Sequence, residues 1–571
     1  VINGGSDFQI NENIKGDGSG TLILMNGTIL TSFSLDKTLY LQDVDDLIIL
    51  NAQLNCSNLH LTQSTLSITL QGSSTRSSPG TYSFFNASLI RQSSIRLRYR
   101  TALNVTGMIW RYSEDPIAFL IQDRFIIDST SNMNSDGEGY TSIDTTPLPF
   151  GEYSCNFVNS GTYDNSLFAH AAQKSCGQYG SAGGGGGAYG GNGADGFDGF
   201  GGKAFGSLFL PKSLGVGGGN CFQGILGGSG GGAMFVTANK LLLSGRISVN
   251  GVDGSNVGAG GGSGGSIILR CGSFSHYSAN RTGSIEANGG KGVYSNIYFG
   301  GGGSGGRVVI NCGDINSTFS SIVNLTAYGG SSLKRSDTNQ YPVWNQEGVS
   351  LTSWLNSTRA SRASSGTVIV QRNSTVHDLY VQNDETDSDV ITLTQCHSAA
   401  SCQTQTTRLS LGLMDNFFNT SFLTLSSLSL RNMKIVVEVE QVLTISEGIF
   451  GNSGSEVHVY GTLILPDLCT IRSVSLVIFG QLLGAEHLTL ENSATLTFYP
   501  NATWNSNLHD FILPTIVNRT NLGVYDNSNS SVALRYVVAK NLTLLSGSQL
   551  KVKRTESAAS SSSEFRTIFL F

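Results

Sequence analysis

Charge is scarce in this chain. Only 13% of its 571 residues are Asp, Glu, Lys or Arg, about half the usual share, and the net charge is -6. Nothing forms a basic footprint for nucleic acid or a polybasic patch for a membrane surface. No apolar run reaches the length of a membrane-spanning helix. Proline is rare too. With 9 prolines against 72 glycines, collagen is excluded. The cysteines include no CxxC pair and no Cys/His cluster at zinc spacing, so no metal site is expected. The histidines (His60, His170, His276, His377, His397, His458, His487, His509) are scattered, and none lies in a nucleophile or zinc motif. No catalytic or cofactor-binding residue is assigned, and no cofactor is expected.

What the chain does have is a repeat. "GGSGGGAMFVTANKLLLSGRISVNGVDG" starts at Gly227, "GGGSGGSIILRCGSFSHYSANRTGSIEANGG" at Gly260 and "GGGSGGRVVINCGDINSTFSSIVNLTAYGG" at Gly301. A worn fourth copy, "SSGTVIVQRN", starts at Ser364. Each full copy holds a glycine run, a short β-branched strand, a polar bend, a second short strand and an Asn-Gly or Tyr-Gly-Gly turn. Met234-Phe235-Val236, Ile267-Ile268-Leu269 and Val308-Val309-Ile310 have the length and composition of strands. One such strand cannot bury its apolar face alone, but copies stacked in register can. The expected fold is all-β, a parallel β-helix (solenoid) with a glycine-rich segment and loop insertions. A propeller blade would need four strands per copy, and two are legible.

Four regions follow. Residues 1–130 read as irregular coils, with Leu59, Leu61, Leu66, Ile68 and Leu70 facing inward. Asp43, Asp45 and Asp46 read as a solvated turn rather than the paired carboxylates of a polysaccharide enzyme. Residues 131–230 form a glycine-rich segment, packed as extended polyproline-like threads or as a wrapped lid, with Tyr179, Tyr189, Phe197, Phe200 and Phe205 to pin it. Asp195 and Asp198 there give one imperfect copy of a calcium-binding nonapeptide, too little to assign a metal. Residues 231–375 hold the regular repeats with an insertion at 331–365, whose Trp344 and Trp354 are the candidate contact surface or cover the loop's own small core. Residues 376–571 are C-terminal coils, in which "VHVYG" (Val457–Gly461) and "LVIFG" (Leu476–Gly480) match at a spacing of 19. The start, "VINGGSDFQI", reads as a mature N-terminus or as the edge of a longer protein, and the uncapped apolar end, "EFRTIFLF", reads as that of a segment.

Asn-X-Ser/Thr sequons occur at Asn26, Asn55, Asn86, Asn104, Asn280, Asn316, Asn324, Asn356, Asn373, Asn419, Asn501, Asn518, Asn529 and Asn541. Some arise by chance in an Asn- and Ser-rich chain, but most are read as glycosylated, in a eukaryotic secretory protein. Cys271 and Cys312 occupy the same point of successive repeats, so in register they form a disulfide or a pair of stacked buried thiols. Cys396 and Cys402 bracket a short loop and read as a local bridge. Two of Cys155, Cys176 and Cys221 are candidates to staple the glycine tract. Nine cysteines leave at least one thiol free or paired between chains.

The units "GGGSGGxIxI" and "GxIxxNGG", at Gly260–Leu269, Gly283–Gly290 and Gly301–Ile310, resemble glycine-rich extracellular surface proteins of eukaryotes, of plant and protist type. "CGQYGSAGGGGGAYGGNGADG" looks like the tract that precedes such units. The resemblance covers about a third of the chain and implies a pectin-lyase-like parallel β-helix. The aspartate clusters or arginine–lysine pairs of enzymes with that fold are not found here. The functional expectation is a secreted structural glycoprotein, not an enzyme. It would be a rod forming or decorating an extracellular filament, flagellar hair, wall or surface coat, with itself, other extracellular structural proteins and covalent N-glycans as partners. Polysaccharide binding or cleavage along a lateral groove is the alternative.

Overall fold

The computed structural model describes residues 38–50, 53–69, 81–98, 116–141, 183–196, 199–202, 204–221, 225–278, 282–294, 300–315, 323–334, 363–372, 376–382, 406–408, 422–431, 433–437, 439, 441–499, 502–505, 541–544 and 549–552. It also describes residues 2–3, 7–10, 14–15, 21–25 and 29–32. Among these residues the fold is all-β, with parallel sheets and no helix. The chain divides into two compact units, Val1–Val376 with Val381–Phe418, and His377–Tyr380 with Asn419–Phe571.

In the first unit, strands Thr38–Gln42, Asn58–Thr62, Asn86–Ile90, Ile117–Ile127, Ala233–Leu243, Ser266–Ser275, Arg307–Asp314 and Thr367–Arg372 pair in that order, each parallel to the next. The cause is alternation. Asn58–Thr62 and Asn86–Ile90 bury every second residue, so one face of each strand is apolar and register is fixed by it. Leu41, Leu61, Leu89, Ile127 and Leu243 stand side by side and fully buried. Burying each such side chain contributes roughly 1.5–3 kcal/mol. All four copies of the repeat join this sheet in register, with Met234 beside Ile267, Ile267 beside Val308 and Val308 beside Val368.

A second, nine-stranded sheet runs Ile2–Asn3, Thr21–Met25, Asp46–Leu50, Thr65–Thr69, Ser94–Arg98, Asn132–Asn134, Arg246–Ser248, Gly283–Glu286 and Val323–Thr326. Leu59, Leu61, Leu66 and Ile68 are buried as expected, and Leu70 lies outside the described residues. Asp43 takes a left-handed φ of 54° and donates its N–H to Thr62 O, and Asp46 accepts the Ser67 hydroxyl. These aspartates sit at a bend, with Asp46 opening a strand.

The glycine tracts are neither sheet nor lid. The N–H groups of Gly199, Gly202 and Phe205 donate to the carbonyls of Gly183, Gly186 and Tyr189, at 2.9, 2.9 and 3.0 Å. Gly301 and Ser304 donate to Gly184 and Gly187, and Gly219 donates to Gly185. Successive carbonyls of one tract thus address three different neighbours, and two of these are met again three residues on. That step belongs to polyproline-II geometry, which repeats every third residue, whereas strand side chains repeat every second. The same step links Gly228 and Gly231 to Gly260 and Ser263, and Gly261 and Gly264 to Gly301 and Ser304. Extended threads therefore bond sideways into a lattice, and residues 183–192 are buried apart from a half-buried Asn192.

Such a lattice needs glycine because of closeness, not φ. A methyl group added at Gly186 would fall inside the carbonyl oxygen of Gly302, and one at Gly265 inside that of Gly232. The pinning aromatics divide. Tyr189 and Phe205 are buried with ring centroids 4.9 Å apart. Phe200 is 59% exposed, so it does not pin the segment, because its backbone and not its ring faces Gly185. Tyr179 and Phe197 lie outside the described residues.

The second unit is also built of parallel strands. Leu428, Ile449, Ile471, Leu490 and Leu544 align across parallel strands, as do Val457, Leu476, Leu496 and Leu550. Val457 stands beside Leu476, the pairing that the 19-residue match specifies.

Candidate functional site

At the turns after three strands of the second sheet, one side chain captures the backbone of the turn after the neighbouring strand. Asp136 Oδ1 accepts the Asn250 N–H at 2.6 Å, Asn250 Oδ1 accepts the Asn288 N–H at 2.7 Å, and Asn288 Oδ1 accepts the Tyr328 N–H at 2.8 Å. Each of these residues precedes a glycine: Gly137, Gly251, Gly289 and Gly329. Beside this ladder lies a charged cluster. Arg246 directs Nε and Nη2 to Glu286 Oε2 at 2.9 and 2.8 Å, and its Nη2 stands 3.6 Å from Asp136 Oδ2. Ser248 Oγ donates to Asp136 Oδ2, and Asn250 Nδ2 to Glu286 Oε2. The strands that carry it were legible as "GRISVNG" and "GSIEANGG", but which residues become neighbours depends on register, so sequence reasoning missed the cluster.

Chemically the cluster is a pair of carboxylates bridged by a guanidinium. Both contact Arg246 Nη2, so the contacting oxygens are no more than 6.4 Å apart, the sum of 3.6 and 2.8 Å. That is closer than the roughly 6.5–9.5 Å of inverting glycosidases. Burial raises the Asp136 carboxyl above its ordinary value of 3.8, opposed by the Asn250 N–H, Arg246 and Ser248, while Glu286 pushes the same way as burial. The folded state therefore favours protonated Asp136. Its contribution to stability is fully present below pH 3.8 and is lost as pH rises through the raised folded value. Asp136→Asn is expected to flatten this fall, so that its unfolding midpoint gains on the wild type as pH rises from about 3 through the raised folded value. Parallel midpoint profiles for the two proteins would refute this assignment.

A second polar column faces outward on the first sheet. Ser88 Oγ lies 2.6 Å from His60 Nδ1, Thr62 Oγ1 lies 3.1 Å from Nε2, and the Tyr40 ring tilts against the imidazole. Burial lowers the His60 pKa and favours the neutral ring. The pair resembles a nucleophile and its base. However, Ser88 is in mid-strand between two parallel partners, where backbone N–H groups belong to the ladder and cannot serve an oxyanion. The column is a strand-to-strand tie, continued by Asn86 Nδ2 to Asn58 Oδ1 and Asn58 Nδ2 to Thr38 Oγ1. In the second unit Tyr460, Phe479 and Tyr499 stack at 4.4 and 4.0 Å, with their faces turned to one another.

The cysteines and sequons take these places. Cys271 and Cys312 pair in register within strands Ser266–Ser275 and Arg307–Asp314 and are joined by a disulfide, with Cα atoms 4.3 Å apart. Cys56 and Cys469 are buried free thiols whose pKa is pushed up to about 12 by burial, and Cys221 is buried. Cys155, Cys176, Cys396 and Cys402 lie outside the described residues, as do Trp344 and Trp354. Asn324 is exposed on strand Val323–Thr326 and Asn86 is half-buried in its ladder. Asn55 and Asn541 fall in strands Gln53–Asn55 and Asn541–Leu544. The other sequons lie outside the described residues. Asp195 Oδ1 accepts the Gly201 N–H within the glycine lattice. Among the described residues no group of three or more His, Cys, Asp or Glu side chains could hold a metal, and no helix is long and apolar enough to cross a membrane. Compared with protein-family models, curated proteins and solved structures, the chain matches none.

Proposed function

We propose that this chain is a secreted, N-glycosylated structural protein. Its coils stack as a parallel β-helix, and the resulting rod forms or decorates an extracellular filament, flagellar hair, wall or surface coat. The observation that carries this reading is the glycine lattice, in which backbone bonds to backbone across threads far apart in sequence. Such a body is stiff because neither side-chain rotamers nor loops separate its parts. Low charge and the 14 sequons support an outer surface of Ser, Thr, Asn and glycan. The test is electron microscopy of the protein from its native source. Filaments whose period matches one molecule are expected, and dispersed single particles would overturn the filament reading.

A second reading, polysaccharide binding or cleavage, is favoured by one observation, the Asp136–Arg246–Glu286 cluster. It predicts release of reducing ends from a polysaccharide panel, abolished in Glu286→Gln.

A further inference from the structure

The outward face around Arg246 has an unusual neighbour in the same column. Asn132, Arg246, Ser284 and Asn324 pair successively across four strands of the second sheet. Adjacent rungs are about 4.8 Å apart, so the Asn324 backbone lies roughly 10 Å from that of Arg246, with only Ser284 between. Glu286 stands beside Thr326, the hydroxyl residue of the Asn324-Leu325-Thr326 sequon. Asn324 is exposed, and Arg246 and Glu286 keep 44% and 19% of their side chains accessible. Thr326 is 3% exposed, and its Oγ1 finds no hydrogen-bond partner among the described residues. An orphaned buried hydroxyl costs about 1–3 kcal/mol, but this one is closed off from the surface, so the exposed groups of the column are Arg246, Glu286 and Asn324.

We propose that the Arg246–Glu286 cluster, with Ser284, is the seat of the inner sugars of an N-glycan carried by Asn324. This rests on the glycosylated reading above and gives that glycan a fixed place. Sugar hydroxyls both donate and accept. A carboxylate accepts from them, a guanidinium donates, and the Ser284 hydroxyl does either. A glycan leaving Asn324 along its own column meets these groups within one or two rungs. It would also cover the face that an exogenous polysaccharide would need. Because Thr326 is buried in the folded strand, the sugar must be attached before that strand docks.

The test uses the full chain made in a eukaryotic secretory host. Glycopeptide mass spectrometry reads occupancy at each sequon, and a peptide N-glycanase time course under native conditions reads release at Asn324. Release from wild type is expected to be about tenfold slower than from Arg246→Ala, the effect of about 1.4 kcal/mol of docking, and equal after denaturation. Glu286→Gln, which keeps the shape, gives the same comparison if Arg246→Ala does not fold. Equal native release in all proteins, or an unmodified Asn324 beside other occupied sequons, overturns the seat and leaves the glycosylated reading standing. If no sequon is occupied, the glycosylated reading fails first.

Discussion

Gly186→Ala is expected to destabilise the first unit by at least about 3 kcal/mol, lowering its unfolding midpoint by at least about 5 °C. The new methyl would meet the carbonyl of Gly302, which is backbone held by its own lattice bond from Ala194. No rotamer change can relieve that contact, and moving one thread strains the others that it bonds. Gly313→Ala is the matched control. Gly313 is exposed, and a methyl there meets only Gly272 O, at 3.1 Å, so a change within about 0.5 kcal/mol is expected. Thermal and denaturant unfolding of both variants decide the matter. Equal behaviour would mean that the threads are not packed as closely as their hydrogen bonds require.

Arg307→Ala is the second large effect, expected at about 3–5 kcal/mol. Arg307 is 3% exposed. Its Nε and Nη2 donate to Phe205 O at 3.1 and 2.9 Å, its Nη1 to Thr367 Oγ1 at 3.2 Å, and its guanidinium lies 5.6 Å from the centroid of the Tyr189 ring. Tyr189 is in turn tied through its N–H to Ser304 Oγ and its hydroxyl to Ser266 Oγ. One cation thus fastens the glycine tract to two repeat strands. Arg307→Met keeps most of the volume and loses the donors, so it separates packing from bonding. It is expected to lose about 2 kcal/mol, from an orphaned Phe205 carbonyl and a lost cation–π contact. A Met variant as stable as wild type in chemical denaturation would show that the guanidinium contributes no more than bulk.

Strand positions were legible because each is written locally. The apolar triplets of the repeats, the alternation of Leu59 and Leu61, and the 19-residue match of Val457 with Leu476 each depend on a few adjacent residues or on a constant spacing. The Cys271–Cys312 pair was legible for the same reason, since equal phase in successive repeats becomes contact once the strands stack. The Arg246 cluster was not legible. Asp136 reaches Arg246 only because the chain between them returns to the neighbouring strand, and no local pattern announces the length of that excursion. The glycine threads were half legible. Composition excluded an ordinary core, but polyglycine carries no side-chain pattern from which to read which thread neighbours which.

The distance along the chain between lattice partners sets an order of events at the ribosome. Tyr189 bonds to Ser304, 115 residues later, and Asn192 receives the N–H of Ser364. At about 5–20 residues per second, the first tract emerges and waits about 5–25 s for Ser304 to be synthesised, and longer for Ser364. A strand left waiting so long would offer an apolar edge to other nascent chains. Between Tyr189 and Phe205 the tract is mostly glycine and offers few apolar side chains, so it can idle in water with little tendency to seed aggregation, and the body of the first unit closes around it last.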